Sequence, residues 1–250
     1  MNNQSLFLFA RYKFCKDKLI SLPHISRGYR RGLPVYRVRI NKKYYAYADI
    51  PKNRNKYEAI LKLKDRITAK LKKTVAELSD TYKPSSIEAI SSQLQFITTK
   101  NNLMDKQFYD TLIDNSSNFK NDKNYYLNGY NFRSRAEQLI ADVLRDMKLP
   151  FKYECNLYFD NDRVNVDFVV YVEEFDCCFI IEYLGMMNDY KYQNRTANKQ
   201  NLFYANGLYP YRNILFLYGD ENNMPSEFEI RSAITHILNV IASRHIIEAA

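Results

Sequence analysis

Two acids in this chain stand inside apolar runs, and a third opens a helix beside them. Asp167 interrupts Val164-Asn165-Val166-Asp167-Phe168-Val169-Val170, and Glu182 follows Phe179-Ile180-Ile181. Burying an ionised carboxylate without a partner costs several kcal/mol, so acids on two core strands require a cation, either a metal ion or a basic side chain. Glu137 follows Ser134-Arg135-Ala136 at the start of a helix. An all-oxygen set of this kind suits a hard cation, Mg2+ or Mn2+, which holds a phosphate and lowers the pKa of a water. Two plainer uses compete with this one. Glu137 also completes a capping box with Ser134, and the acids could pair with Arg133, Arg135 or Arg195 in a salt-bridge network.

The elements that must position these acids are legible from Phe132 onward. Ser134 and Glu137 open a helix whose apolar face is Ile140, Ala141 and Leu144 and which stops near Leu149-Pro150. Strands are expected at about 152–159, 163–172 and 177–184, joined by hairpin-length turns at 160–162 and 173–176. A helix over about 190–205 stops at Asn206-Gly207, the run 213–218 reads as a buried strand, and a last helix covers about 226–244. The order is α, β, β, β, α, β, α. Three meandering strands followed by a crossover helix require a parallel neighbour, so the expected fold is α/β (α+β), a mixed sheet flanked by helices. With the second and third strands adjacent, Asp167 and Glu182 fall on one face within bridging distance.

Charge divides the chain. Of a net +9, residues 1–73 carry 20 Lys and Arg against four Asp and Glu, while residues 74–250 carry 17 against 24. This asymmetry points to nucleic acid or an anionic membrane as the partner of the first part. Residues 35–40 and 44–48 alternate as strands around Asn41-Lys42-Lys43, a β-hairpin with Val35, Arg37 and Arg39 on one face and Tyr36, Val38 and Ile40 on the other. Arg37, Arg39, Lys42 and Lys43 are the expected nucleic-acid contacts there. Over 57–78, Ile60, Leu63, Ile67, Leu71, Val75 and Leu78 make the stripe of a long amphipathic helix, with Lys62, Lys64, Arg66, Lys70, Lys72 and Lys73 around the rest. Between them and the acids lies a weaker stretch with polar clusters at 115–118 and 120–124. The expected division is a basic module at 1–80, a linker with short helices (about 86–96 and 105–114) at 81–129, and a domain at 130–250.

No run approaches the roughly 18–20 apolar residues that span a bilayer, and Leu6-Phe7-Leu8-Phe9-Ala10 is too short for a signal segment, so a cytoplasmic protein without a membrane partner is expected. Cys15, Cys155, Cys177 and Cys178, with three histidines, make no zinc pattern and are expected to be reduced.

Residues 130–220 resemble the PD-(D/E)XK nuclease superfamily, whose restriction-endonuclease-like core is an αβββαβ unit with an acid on the first helix, an Asp on the second strand and a Glu on the third. Glu137 fits the helix acid, Val166-Asp167 the Pro-Asp pair with Val for Pro, and Glu182-Tyr183-Leu184 the tripeptide with Leu184 in place of its lysine. Some members supply that lysine from the following helix, and the stretch from Gly185-Met186-Met187 to Lys199 is similar to uncharacterised bacterial members of this kind. The resemblance implies a divalent-metal-dependent phosphodiesterase, an endonuclease on DNA. Asp167, Glu182 and Glu137 would serve Mg2+ or Mn2+, and Lys199 would position the nucleophile, with Lys191 second in line. Tyr192, Arg195 and Lys199 share one helix face and, with Arg133 and Arg135, are expected against phosphate. Gln200 and Tyr204 match the Gln-x-x-x-Tyr signature of the exonuclease branch. The missing motif lysine keeps a second reading open: a nuclease-fold protein that binds nucleic acid or a partner without catalysis. A monomer would nick one strand, whereas a homodimer could cut both.

Overall fold

The computed structural model describes residues 5–96, 104–115, 125–127, 130–159, 162–220 and 223–248. The polar clusters at 116–118 and 120–124 and the turn residues Asp160 and Asn161 lie outside them. The chain is a mixed α/β protein that divides into two compact units, one built on Leu8–Gln95 and the other on Phe96–Ile247.

The first unit contains α1 (Leu6–Ser21), β1 (His24–Arg30), β2 (Leu33–Ile40), β3 (Lys43–Ala48), α2 (Pro51–Ser79), α3 (Pro84–Ser92) and β4 (Leu94–Phe96). β1, β2 and β3 form an antiparallel sheet in that order. The expected hairpin is therefore its second half. Both turns have two residues at positive φ, Arg31 (52°) with Gly32 (77°) and Asn41 (47°) with Lys42 (65°). Turns of that hand match the right-handed twist of the flanking strands. One face of the sheet packs Ile25, Tyr36 and Val38 against Tyr57 of α2. At its margin Tyr36 donates to Glu58 Oε1 at 2.8 Å and Arg27 pairs with the same carboxylate, which together lower its pKa to about 2. Arg37 and Arg39 are exposed, and their cross-strand partners are Ser26 and Ala46, and His24 and Tyr44. α2 starts six residues earlier than expected, because Pro51 at its first turn brings a preset φ and lacks an N–H that would go unused. Lys70, expected on the solvated side, is buried with Ile67 and Thr74.

The second unit contains α4 (Lys106–Thr111), β5 (Tyr126–Leu127), β6 (Tyr130–Asn131), α5 (Arg135–Asp146), β7 (Phe151–Phe159), β8 (Asp162–Val172), β9 (Cys177–Leu184), α6 (Tyr190–Ala205), β10 (Ile214–Tyr218), α7 (Glu227–His245) and β11 (Ile246–Glu248). Its main sheet has the order β10-β9-β8-β7, with β7, β8 and β9 antiparallel and β10 parallel to β9. That is the meander plus crossover expected from the sequence. The stretch expected as a linker is structured in its described parts. α3 belongs to the first unit, while Tyr109 of α4 enters the second unit's core with Val166, Val169, Ile180 and Phe203 of α6. On the other side of the sheet Phe132, Phe151, Tyr153 and Phe168 form an aromatic cluster, with Tyr153 and Phe168 centroids 5.2 Å apart. Arg145 of α5 lies 5.6 Å over the Phe151 ring, so helices cover both faces.

The sheet breaks its own alternation at one place. Tyr153 and Cys155, two residues apart, would share a face of an uninterrupted strand, yet Tyr153 joins the aromatic cluster and Cys155 the opposite core. The cause is Glu154, whose φ is 52°. β8 slips in the same place, since Val164 and Val166 join the core that also takes Val169 and Tyr171 while Phe168 faces away. The register of β7 against β8 survives, with Tyr153↔Phe168 and Cys155↔Val166 on either side of the slip, and so sets Glu154 across from Asp167. Alongside β7, Asn115 N–H donates to Tyr153 O (3.1 Å) and its Nδ2 to Glu154 O (2.7 Å), while Tyr153 N–H donates to Asp114 Oδ2 (3.1 Å).

No helix among the described residues is long and apolar enough to cross a membrane. All four cysteines are free and buried; burial pushes the Cys155 thiol up to about 12.

Candidate active site

Asp167 and Glu182 meet where β8 and β9 part. The pairing of these strands ends at Phe168↔Ile181, and the two acids are the next pair in that register. Beyond it, side chains replace the ladder. Asp167 N–H donates to Glu182 Oε1 at 3.4 Å, and Tyr183 N–H donates to Asp167 Oδ2 at 2.7 Å. β9 stays paired with β10 through Phe216↔Glu182 to Tyr218↔Leu184, which holds Glu182 on fixed backbone. Leu184 is buried in the sheet, whereas Lys199 reaches in from α6 and its Nζ lies 2.5 Å from Glu182 Oε2. An ammonium group absent from position 184 thus stands beside the acids by another route.

Glu137 is the N3 residue of the α5 cap and also lines the cleft beside Asp167. It completes the capping box of α5, its N–H donating to Ser134 Oγ at 3.2 Å while its Oε2 accepts from Ser134 N–H at 3.1 Å. The same Oε2 also accepts from Arg133 N–H (3.0 Å) and from the Tyr153 hydroxyl (2.6 Å). Among the described residues no donor reaches its Oε1 or Asp167 Oδ1.

Burial raises the pKa of all three acids. For Asp167 it acts together with repulsion from Glu182 and then Glu137, so its carboxyl lies well above the usual range. For Glu182 and Glu137 burial is opposed by Lys199 and by the Tyr153 hydroxyl, respectively. A fourth buried acid, Glu154, pairs with Arg133 Nη1 at 2.8 Å. Two of the four acids therefore carry an ion pair, while Asp167 and Glu137 carry none among the described residues. Neither of those two touches a cation, although Lys199 acts favourably on Asp167 and Arg133 on Glu137 through space.

No three His, Cys, Asp or Glu side chains among the described residues converge closely enough to hold a metal by themselves. The donors nonetheless fit Mg2+ or Mn2+. Mg2+ keeps several of its waters and takes one or two protein carboxylates together with substrate phosphates. Asp167 and Glu182 are such a pair.

The acids open onto a cleft of about 1480 Å³ that Arg133, Arg135, Arg163, Tyr192, Arg195 and Lys199 also line. Glu137, Asp167 and Glu182 line it with them. Lys191 is exposed and does not line it, nor do Gln200 and Tyr204, the latter stacking on Tyr209. Arg163 and Glu154 were not anticipated. The signal for Arg163 was its even spacing from Asp167 on one strand; for Glu154 there was none, because a regular strand would have placed it differently. Arg37, Arg39, Lys42 and Lys43 belong to the first unit, with Lys42 in the turn between β2 and β3.

Tyr183 closes one wall by lying on two glycines. A Cβ at Gly185 would sit 2.5 Å from Tyr183 Cε1, and one at Gly219 would meet the Tyr183 hydroxyl. The Tyr183 backbone is tied to Asp167, so its ring has to move if a methyl group appears beneath it. Gly185→Ala is expected to destabilise the protein by about 1–3 kcal/mol, the range for overpacking, read as a lower urea midpoint at unchanged slope. A midpoint equal to the parent's would show that the ring moves freely.

No family model matches the chain, and no curated protein and no solved structure is significantly similar to it.

Proposed function

We propose that the protein is a divalent-metal-dependent nuclease, a DNA endonuclease of the PD-(D/E)XK kind with a basic N-terminal unit for the nucleic-acid backbone. The observation that carries this reading is Lys199 at 2.5 Å from Glu182, with Asp167 across the strand pair and no cation on Asp167 itself. The order of elements from α5 to β10 and the hydrogen bond from Asp167 N–H to Glu182 Oε1 support it as well.

Asp167 and Glu182 would hold the metal, with Glu137 on the helix side; when bound, Mg2+ or Mn2+ polarises a phosphoryl oxygen and lowers the pKa of a water. Lys199 brings a positive charge to the point where an attacked phosphate gathers negative charge, and its position is fixed before substrate arrives. Arg133, Arg135, Arg163 and Arg195 offer guanidinium forks along the cleft, suited to phosphate oxygens and blind to sequence. The exposed Arg37 and Arg39 of the N-terminal sheet, with Lys42 and Lys43 at its tip, extend the same chemistry in the other unit.

A binding protein on the same fold without catalysis is the rival, favoured by Leu184 at the motif-lysine position and opposed by the placement of Lys199. The test is to incubate purified protein with supercoiled DNA, linear duplex, single-stranded DNA and RNA, with and without Mn2+, beside an Asp167→Ala control. Metal-dependent nicking that vanishes in the control is the expected result. Equal cleavage by the control, or none of any substrate by the parent, sinks the proposal.

A further inference from the structure

Seven residues other than glycine have positive φ among the described residues; six lie in turns, and Glu154 alone lies inside a strand. A side chain in that conformation costs about 1–2 kcal/mol, and glycine adopts it freely. What the strained backbone achieves is geometric. It places residue 154 between the Tyr153↔Phe168 and Cys155↔Val166 pairs and its carboxylate, at 1% exposure, in an ion pair with Arg133 Nη1 at 2.8 Å.

A further acid is of the wrong sign for a site that meets a polyanion. It acts unfavourably on Glu137 and Glu182, adding to the rise in pKa of both. Its use lies in what it holds. Arg133 is 55% exposed along its side chain and lines the cleft, while its backbone N–H is fixed on Glu137 Oε2 and on the Tyr153 hydroxyl oxygen, each at 3.0 Å. Backbone and guanidinium are thus anchored separately, on the helix cap and on the slipped strand.

We infer that Glu154 is a positioning residue for Arg133, holding its guanidinium at the cleft wall in a fixed orientation toward a phosphodiester of the bound nucleic acid. This rests on the nuclease reading of the same site. The left-handed backbone then has a purpose: only with the alternation slipped does β7 send an acid toward Arg133 between Tyr153 and Cys155.

The test is a double-mutant cycle in the full-length protein, following kcat and KM on duplex DNA with Mn2+ for Arg133→Ala, Glu154→Gly and the pair. Glycine suits the backbone at this position, so Glu154→Gly removes the carboxylate with least damage to the fold, and a thermal midpoint checks this. Each single change is expected to lower kcat/KM about tenfold or more, the scale of one charge-assisted contact, with the pair losing no more than either alone. Glu154→Gln, which keeps an acceptor for Arg133 without the charge, should fall between parent and glycine variant. Plain electrostatics makes the opposite forecast, since deleting a negative charge beside an anionic substrate speeds its capture. A Glu154→Gly protein equal to or faster than the parent, or losses that add, overturns the inference and leaves the nuclease reading intact. A parent that cleaves nothing overturns both. Should Glu154→Gly not fold, parental kcat/KM in Glu154→Gln overturns it alone.

Discussion

Asp167→Asn is expected to abolish metal-dependent cleavage while making the metal-free protein more stable. Loss of the charge should slow cleavage by at least 10²–10³-fold on the order seen for removing one electrostatic element of a site. The stability gain follows from the site's own repulsion. The Asp167 carboxyl is raised above its ordinary 3.8 by burial, by Glu182 and by Glu137, so ionising it costs more in the folded chain than in the unfolded one. The sign is fixed by linkage. Below pH 3.8 the acid is protonated in both states and contributes nothing; as pH rises towards the folded value the penalty grows, and above that value it is complete. Asn keeps an oxygen for Tyr183 N–H and carries no charge to bury. In the presence of chelator its thermal midpoint should exceed the parent's at pH 7.5, by about 2–4 °C for each kcal/mol recovered, with the gap closing towards pH 4. Added Mn2+ should reverse the order, stabilising the parent by about 2.7 kcal/mol at a hundred times its dissociation constant and the variant far less. An Asn variant less stable than the parent in chelator at neutral pH would show that the acid is already compensated.

Lys199→Met should damage stability and catalysis together, and the two can be separated. The substitution leaves Glu182, 3% exposed along its side chain, without its cation. Breaking a buried pair from one side costs about 3–5 kcal/mol, and the low end applies here because the Lys199 side chain is 30% exposed. Adding Glu182→Gln removes the stranded charge and should restore most of the urea midpoint. It should not restore cleavage, which falls on the order of 10²–10³-fold with the loss of a preorganised cation. Parental cleavage by Lys199→Met would remove this lysine from the chemistry whatever its effect on folding.

The acids and their lysine were legible in the sequence because they offend against their surroundings. Asp167 in a valine-rich strand and Glu182 closing an isoleucine-rich one admit few explanations, and three-and-four spacing ties Lys199 to Tyr192 and Arg195 on one helix face. The strand order was legible too, since a crossover helix imposes a parallel neighbour. Other parts gave no such sign. β1 buries Ile25 and Tyr36 lies opposite its Arg27, so His24-Ile25-Ser26-Arg27-Gly28-Tyr29-Arg30 looks polar throughout and was not expected as a strand. α1 mixes Lys and Arg through an apolar run without a clean stripe. Glu154 was invisible for a different reason: Lys152-Tyr153-Glu154-Cys155 reads as ordinary alternation, and only a backbone angle that periodicity assumes away turns its acid towards Arg133. Lys70 makes the same point for helices, since a long aliphatic stem can lie buried where charge alone suggests solvent.

β7 is the last strand of its sheet, and its outer edge is where another chain could add itself. Asp114 and Asn115 already occupy the N–H and C=O of Tyr153 and the C=O of Glu154 on that strand, and the kink at Glu154 bends the ladder a newcomer would have to copy. Covered and kinked edges of this sort resist strand addition. A continuous sheet shared by two copies through β7 is accordingly disfavoured, so the segment that braces the candidate site also guards the protein against polymerising along its own sheet.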